Sequence, residues 1–179
     1  GYPEHLEKGM TSLSNPYLQF TVLPEQLKFN LISTHFAGAE VENASFGLEL
    51  GRSKFSNFIL QSVQEIGMLE SSQGTLESLT LHYLDQNSGI ALDVDFGMPH
   101  DLPFLFQRMR VLNNSDKIIQ PKSFLFSSVR NGDIHFSSEK PVQTAFYSNG
   151  WQSWSPSGTY QFGQRQNYSR LGVFSHPML

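Results

Sequence analysis

Short runs in which apolar and polar residues alternate, separated by turn-forming residues, recur along most of the chain. Side chains of a strand point alternately to its two faces, so this period of two predicts strands with one buried face; helical periodicity is scarce. The expected strands are 18–23, 27–33, 44–50, 58–65, 78–84, 90–96, 104–113, 117–128, 134–137 and 144–148. The run Ile90 to Phe96 shows the logic, with Leu92, Val94 and Phe96 on one face and Asp93 and Asp95 on the other. Asn15-Pro16, Pro24-Glu25, Asn87 to Gly89, Asn113 to Asp116 and Asn131-Gly132 supply turns, and the last has hairpin chemistry. Gly67 to Gly74 and Gly97 to Pro103 read as loops. Roughly ten strands exceed a minimal immunoglobulin-like count. They predict an all-β fold of two large antiparallel sheets packed face to face.

A length of 179 residues suits a single domain with a proper core. The hydrophobic fraction of 39% and charged fraction of 16% argue against disorder, and 15 Phe suit strand-rich packing. Net charge is −4 without a basic run, which excludes the electrostatic footprint of a nucleic-acid binder. Cysteine is absent, so disulfides, thiol nucleophiles and thiolate metal sites are excluded. No apolar stretch approaches the ~20 residues of a membrane-spanning helix, and Gly1 to His5 has no signal-peptide character. The expectation is a soluble, cytoplasmic protein with neither a nucleic-acid nor a membrane partner. Asn43, Asn113 and Asn167 each stand in a glycosylation tripeptide, a pattern common by chance.

Few constellations carry chemistry. Asp93 and Asp95 share a strand face, and paired carboxylates are what a glycosidase needs, but a solvated polar face is the simpler account. The same holds for Glu40 and Glu42. Six histidines, His5, His35, His82, His100, His135 and His176, are scattered without ligand-type spacing, so no metal site is expected. There is no nucleophile elbow and no phosphate-cradling glycine-rich loop. No cofactor is expected.

The segment Tyr147 to Gly158 stands apart, because it holds both tryptophans, Trp151 and Trp154, between Asn149-Gly150 and Ser155-Pro-Ser-Gly158. Turn chemistry on both sides places them at a strand end or loop. An indole there can stack on the C–H face of a sugar ring, or it can fill the core beneath the loop. The string Asn149-Gly-Trp-Gln-Ser-Trp-Ser-Pro156 resembles the last part of the N-terminal β-domain of family 36 glycoside hydrolases, the α-galactosidase family. Phe106 to Asp116 is similar to a strand of that domain ending in a polar turn.

The resemblance implies a β-supersandwich over residues 1–160, with 161–179 as a connector towards a (β/α)8 catalytic barrel. Such a barrel takes ~250 residues. Both catalytic Asp residues of the family lie in that barrel, so none is carried onto this chain, which is expected to be inactive alone. Trp154 matches the tryptophan that packs against bound galactose at the barrel mouth, and Trp151 is assigned to anchoring the same segment. The implied partners are the barrel of the same parent protein and an α-galactoside, with a homo-oligomer also open. A carbohydrate-binding module using both tryptophans is the alternative, and a purely structural sandwich is the third reading.

Overall fold

The computed structural model describes residues 11–34, 39–51, 57–72, 74–130, 133–135, 145–148 and 158–161. Their strands are β1 Thr11–Ser14, β2 Leu18–Leu23, β3 Lys28–Ser33, β4 Glu40–Leu50, β5 Phe58–Ser71, β6 Gly74–Asp85, β7 Ile90–Pro99, β8 Phe106–Asn113, β9 Pro121–Ser128, β10 Ile134–His135, β11 Ala145–Ser148 and β12 Gly158–Gln161. One antiparallel sheet of six strands runs β1-β2-β3-β4, with β9 and β10 both on the far edge of β4. A second antiparallel sheet runs β5-β6-β7-β8, and β11 pairs with β12. The all-β expectation of two packed sheets is what the chain forms.

Alternation decides what lies between the sheets. Phe20, Val22, Phe29, Ala44, Phe46 and Leu48 of the first sheet are buried against Leu79, Leu81, Tyr83, Leu92, Val94 and Phe96 of the second. Phe96 is fully buried at the centre, with ring centroids 4.7 Å from Phe20, 5.3 Å from Phe46 and 5.9 Å from Phe29. Tilted and edge-on aromatic pairs of this kind add to simple area burial.

Two polar contacts at the margins set how the sheets meet. The Asn15 side chain, in the turn after β1, accepts from the N–H groups of Tyr17 and Leu18 and donates to Pro99 O at 2.7 Å and Leu102 O at 2.8 Å. One side chain thereby closes a turn of the first sheet and grips the end of the second. Across the core, the Tyr83 hydroxyl donates to Pro24 O at 2.6 Å. Pro24 opens a 3-10 turn, Pro24–Gln26, that links β2 to β3.

Burial raises the Tyr83 phenol above its ordinary value of 10.0. A raised folded value contributes stability that is complete below the unfolded value and is lost as pH rises through the folded one. The urea midpoint should therefore fall above about pH 10, and Tyr83→Phe should flatten that fall. At neutral pH the same substitution should cost about 1 to 3 kcal/mol, since Pro24 O loses its buried donor. Denaturation series at pH 7 and 10.5 check both signs.

Three segments differ from the sequence reading, each for a physical reason. Gly67 to Gly74 is not a loop: β5 runs through it to Ser71, which pairs with Gly74. Gly67, at φ 48°, lies where the register shifts between Glu65 and Met68, so it serves a β-bulge inside a strand rather than a chain reversal. Gly97 to Pro103 is likewise strand as far as Pro99, where Leu76 pairs with Pro99 and Met98 is buried.

Asn131-Gly132, expected to form a hairpin, lies outside the described residues; the strands on either side of it both pair with β4. β9 pairs with β4 from Ser45 to Leu50 and β10 pairs with β4 at Val41 and Glu40, so the two follow one edge in the same direction. Asp133 N–H donates to Arg130 O at 3.1 Å. Strand ends also moved. β4 begins at Glu40 instead of residue 44, because Asn30 opposes both Glu42 and Asn43 in a bulge that resets the alternation. Asn43 takes the left-handed conformation, φ 50°, and its N–H donates to Asn30 Oδ1 at 2.8 Å.

Candidate functional site

The two tryptophans expected to meet sugar, Trp151 and Trp154, lie outside the described residues. What is described is their frame. β11 and β12 pair antiparallel with Ala145 opposite Gln161 and Ser148 opposite Gly158. In sequence the motif falls between these two paired strands. Residues 162–179, the greater part of the expected connector, lie outside the described residues, as do His5, His35 and His176.

The outer face of the second sheet carries the densest polar chemistry among the described residues. Register sets His82, Asp93 and Arg110 side by side across β6, β7 and β8, and Thr80, Asp95 and Arg108 in the next row. Asp95 accepts from Thr80 Oγ1 at 2.7 Å, Arg110 Nη2 at 3.0 Å and Arg108 Nε at 2.8 Å. Asp93 accepts from the His82 Nδ1–H at 2.7 Å, and Arg110 Nη2 stands 3.6 Å from its second oxygen. The carboxylates are only 17% and 15% exposed while Arg108 and Arg110 are 65% and 47% exposed, so the expected solvated face is an ion network with covered acids beneath exposed cations. A sequence shows one strand at a time, and the partners of Asp93 and Asp95 come from neighbouring strands.

This arrangement argues against catalysis by the Asp93 and Asp95 pair. A glycosidase nucleophile and acid need open approach from both sides of a scissile bond. Here Asp95 spends its acceptor capacity on three donors and both carboxylates are held in place. Glu40 and Glu42 form no such network: Glu42 lies 3.3 Å from His135 Nε2, and both acids are partly exposed. Among the described residues no group of three or more His, Asp or Glu could hold a metal. None of their helices is long and apolar enough to cross a membrane.

A cavity of about 430 Å3 opens beside the network. Ser78, Thr80, Asp95, Gly97, Arg108 and Arg110 are among its lining residues. Ile66 and Leu69 from β5, Leu76 from β6 and Phe106 from β8 make the apolar walls. Ser78 Oγ is sealed from solvent with no hydrogen-bond partner. The sequence reading missed this cavity. The signal it offered was slight: Phe106, Arg108 and Arg110 share one strand parity, an aromatic followed by two cations on one face.

A second hollow of about 320 Å3 lies at the β4–β9 seam, lined by Leu27, Phe46, Leu48 and Leu125. Beside it Glu49 accepts from Lys122 Nζ at 3.0 Å and from Ser123 Oγ at 2.9 Å. These hydrogen bonds, Lys122's first, lower the Glu49 carboxyl below its ordinary value. The pair joins β9 to β4 at the exposed surface, where such contacts contribute little.

Comparison with family models, with curated proteins and with solved structures finds no match to this chain.

Proposed function

We propose that this chain is the non-catalytic N-terminal β-sandwich domain of an α-galactosidase-like retaining glycoside hydrolase. In this reading Trp154 lends one face of the galactose subsite, Trp151 anchors the segment, and a (β/α)8 barrel of the same protein supplies both catalytic carboxylates. The observation that carries the proposal is the position of the Trp-Gln-Ser-Trp motif, strung between Ser148 and Gly158, the paired ends of β11 and β12. The locking of Asp93 and Asp95 into ion pairs supports placing the chemistry elsewhere.

Docking on a barrel also gives a purpose to apolar surface on edge strands. Met68 on β5 is 64% exposed, and Phe124, Leu125 and Phe126 of β9 are all exposed in succession. Larger apolar patches mark interaction surfaces. On the whole enzyme the chemistry is double displacement at a terminal α-galactosyl unit through a covalent glycosyl-enzyme.

An aryl α-galactoside assay tests the proposal. The isolated chain should fold and show no turnover, whereas the longer protein that this reading requires should hydrolyse the substrate. Turnover by the chain that disappears in Asp93→Asn or Asp95→Asn would overturn it. The second reading, a carbohydrate-binding sandwich acting without a barrel, is favoured by the cavity beside Asp95.

A further inference from the structure

We infer that the cavity on the outer face of the second sheet is a binding site for a neutral sugar, independent of the role proposed for Trp154. Its volume of about 430 Å3 falls in the range of small-ligand sites and exceeds a single pyranose ring. Aliphatic walls from Ile66, Leu69 and Leu76, with the Phe106 ring, match the C–H face of a pyranose. Phe104, 54% exposed, continues the aromatic surface, with its ring centroid 6.4 Å from that of Phe106.

The polar side of the cavity selects for hydroxyls rather than for an anion. Of the charged residues that line the cavity, Asp95 offsets one of the two guanidinium groups, and Asp93, which is not a lining residue, stands 3.6 Å from Arg110, so the network as a whole carries no net positive charge. An anion reaching Arg108 would also approach Asp95, which lies 2.8 Å from Arg108 Nε. Arg108 gives only Nε to the network among the described residues, which leaves its terminal N–H groups for a neutral acceptor oxygen. Ser78 Oγ lacks a partner and can both donate and accept. A sugar hydroxyl is a group that does the same. Asp95, itself fixed by the Thr80 hydroxyl, holds the Arg108 cation in place and need not move on binding.

Amide-resolved NMR of the full chain, titrated with melibiose, tests the site, with sodium decanoate as the anionic amphiphile in a parallel series. The expected result is saturable melibiose shifts at Thr80, Asp95, Gly97 and Arg108, and none there with decanoate. Arg108→Met, at a side chain 65% exposed, should keep the dispersed spectrum and weaken binding about tenfold, the loss of hydrogen bonds to a charged donor. Phe106→Ala should weaken it by a similar factor. Melibiose shifts confined to residues 145–161 would overturn this inference and leave the role of Trp154 standing. Shifts on β6 to β8 without any at 145–161 would support the site and count against Trp154. Stronger shifts with decanoate than with melibiose, or unchanged binding in both variants, would also overturn it.

Discussion

Phe96→Ala should cost about 3 to 5 kcal/mol of folding stability, the range for deleting a buried aromatic ring. Phe96 has no exposed surface, and its ring meets Phe20, Phe29 and Phe46 from the opposite sheet. Removing it takes away the transfer energy of the ring and leaves a void between two β-sheets whose backbones are held by hydrogen bonds and cannot close over it. A loss of this size is a large part of the whole stability of a domain, typically ~5 to 15 kcal/mol. Phe104→Ala is the control: its ring is 54% exposed, and the change should stay within about 0.5 kcal/mol. Urea unfolding of the three proteins measures both differences. Equal, small effects would mean that the sheets do not meet through Phe96.

The second large effect concerns Trp151 and Trp154, which the proposed function treats differently. In the longer enzyme Trp154→Ala should lower kcat/KM for α-galactosides by a factor corresponding to about 1 to 3 kcal/mol, as losses from aromatic stacking suggest, with folding intact. Trp151→Ala should leave the sugar contact in place and instead reduce stability by ~3 to 5 kcal/mol, the cost of truncating an anchoring Trp. Steady-state kinetics and thermal unfolding on both variants separate the roles. If Trp154→Ala leaves kinetics unchanged while lowering the melting temperature as far as Trp151→Ala, both rings fill space, and the galactose-subsite role is lost.

Where strands alternate without interruption, the sequence and the structure agree closely. Leu18–Leu23 is the same strand in both, and Ile90 to Phe96 buries Leu92, Val94 and Phe96 as the pattern predicts. Disagreement begins where one residue too many enters a strand. The bulges opposite Asn30 and beside Gly67 shift the phase of burial, and a period of two then ends on paper while the ladder continues. β1 was missed for another reason: Thr11–Ser14 contains a single apolar residue, Leu13, and one residue has no period.

Local chemistry therefore determined the class of this protein, because alternation and turn residues act over a few neighbouring positions and need no knowledge of partners. It also picked out Asn15-Pro16 as a turn, while leaving unseen that Asn15 grips Pro99 and Leu102 of the other sheet. Asn131-Gly132 shows the limit most plainly, since a dipeptide suited to a hairpin lies between two strands that both chose β4. The candidate sites divide along the same line. The tryptophan segment was legible as a string of contiguous residues, whereas the Asp95 network and its cavity gather side chains from β5, β6, β7 and β8. Strand order and register, set by the packing of the whole core, decide which of those side chains face one another, and no single stretch of sequence contains that information.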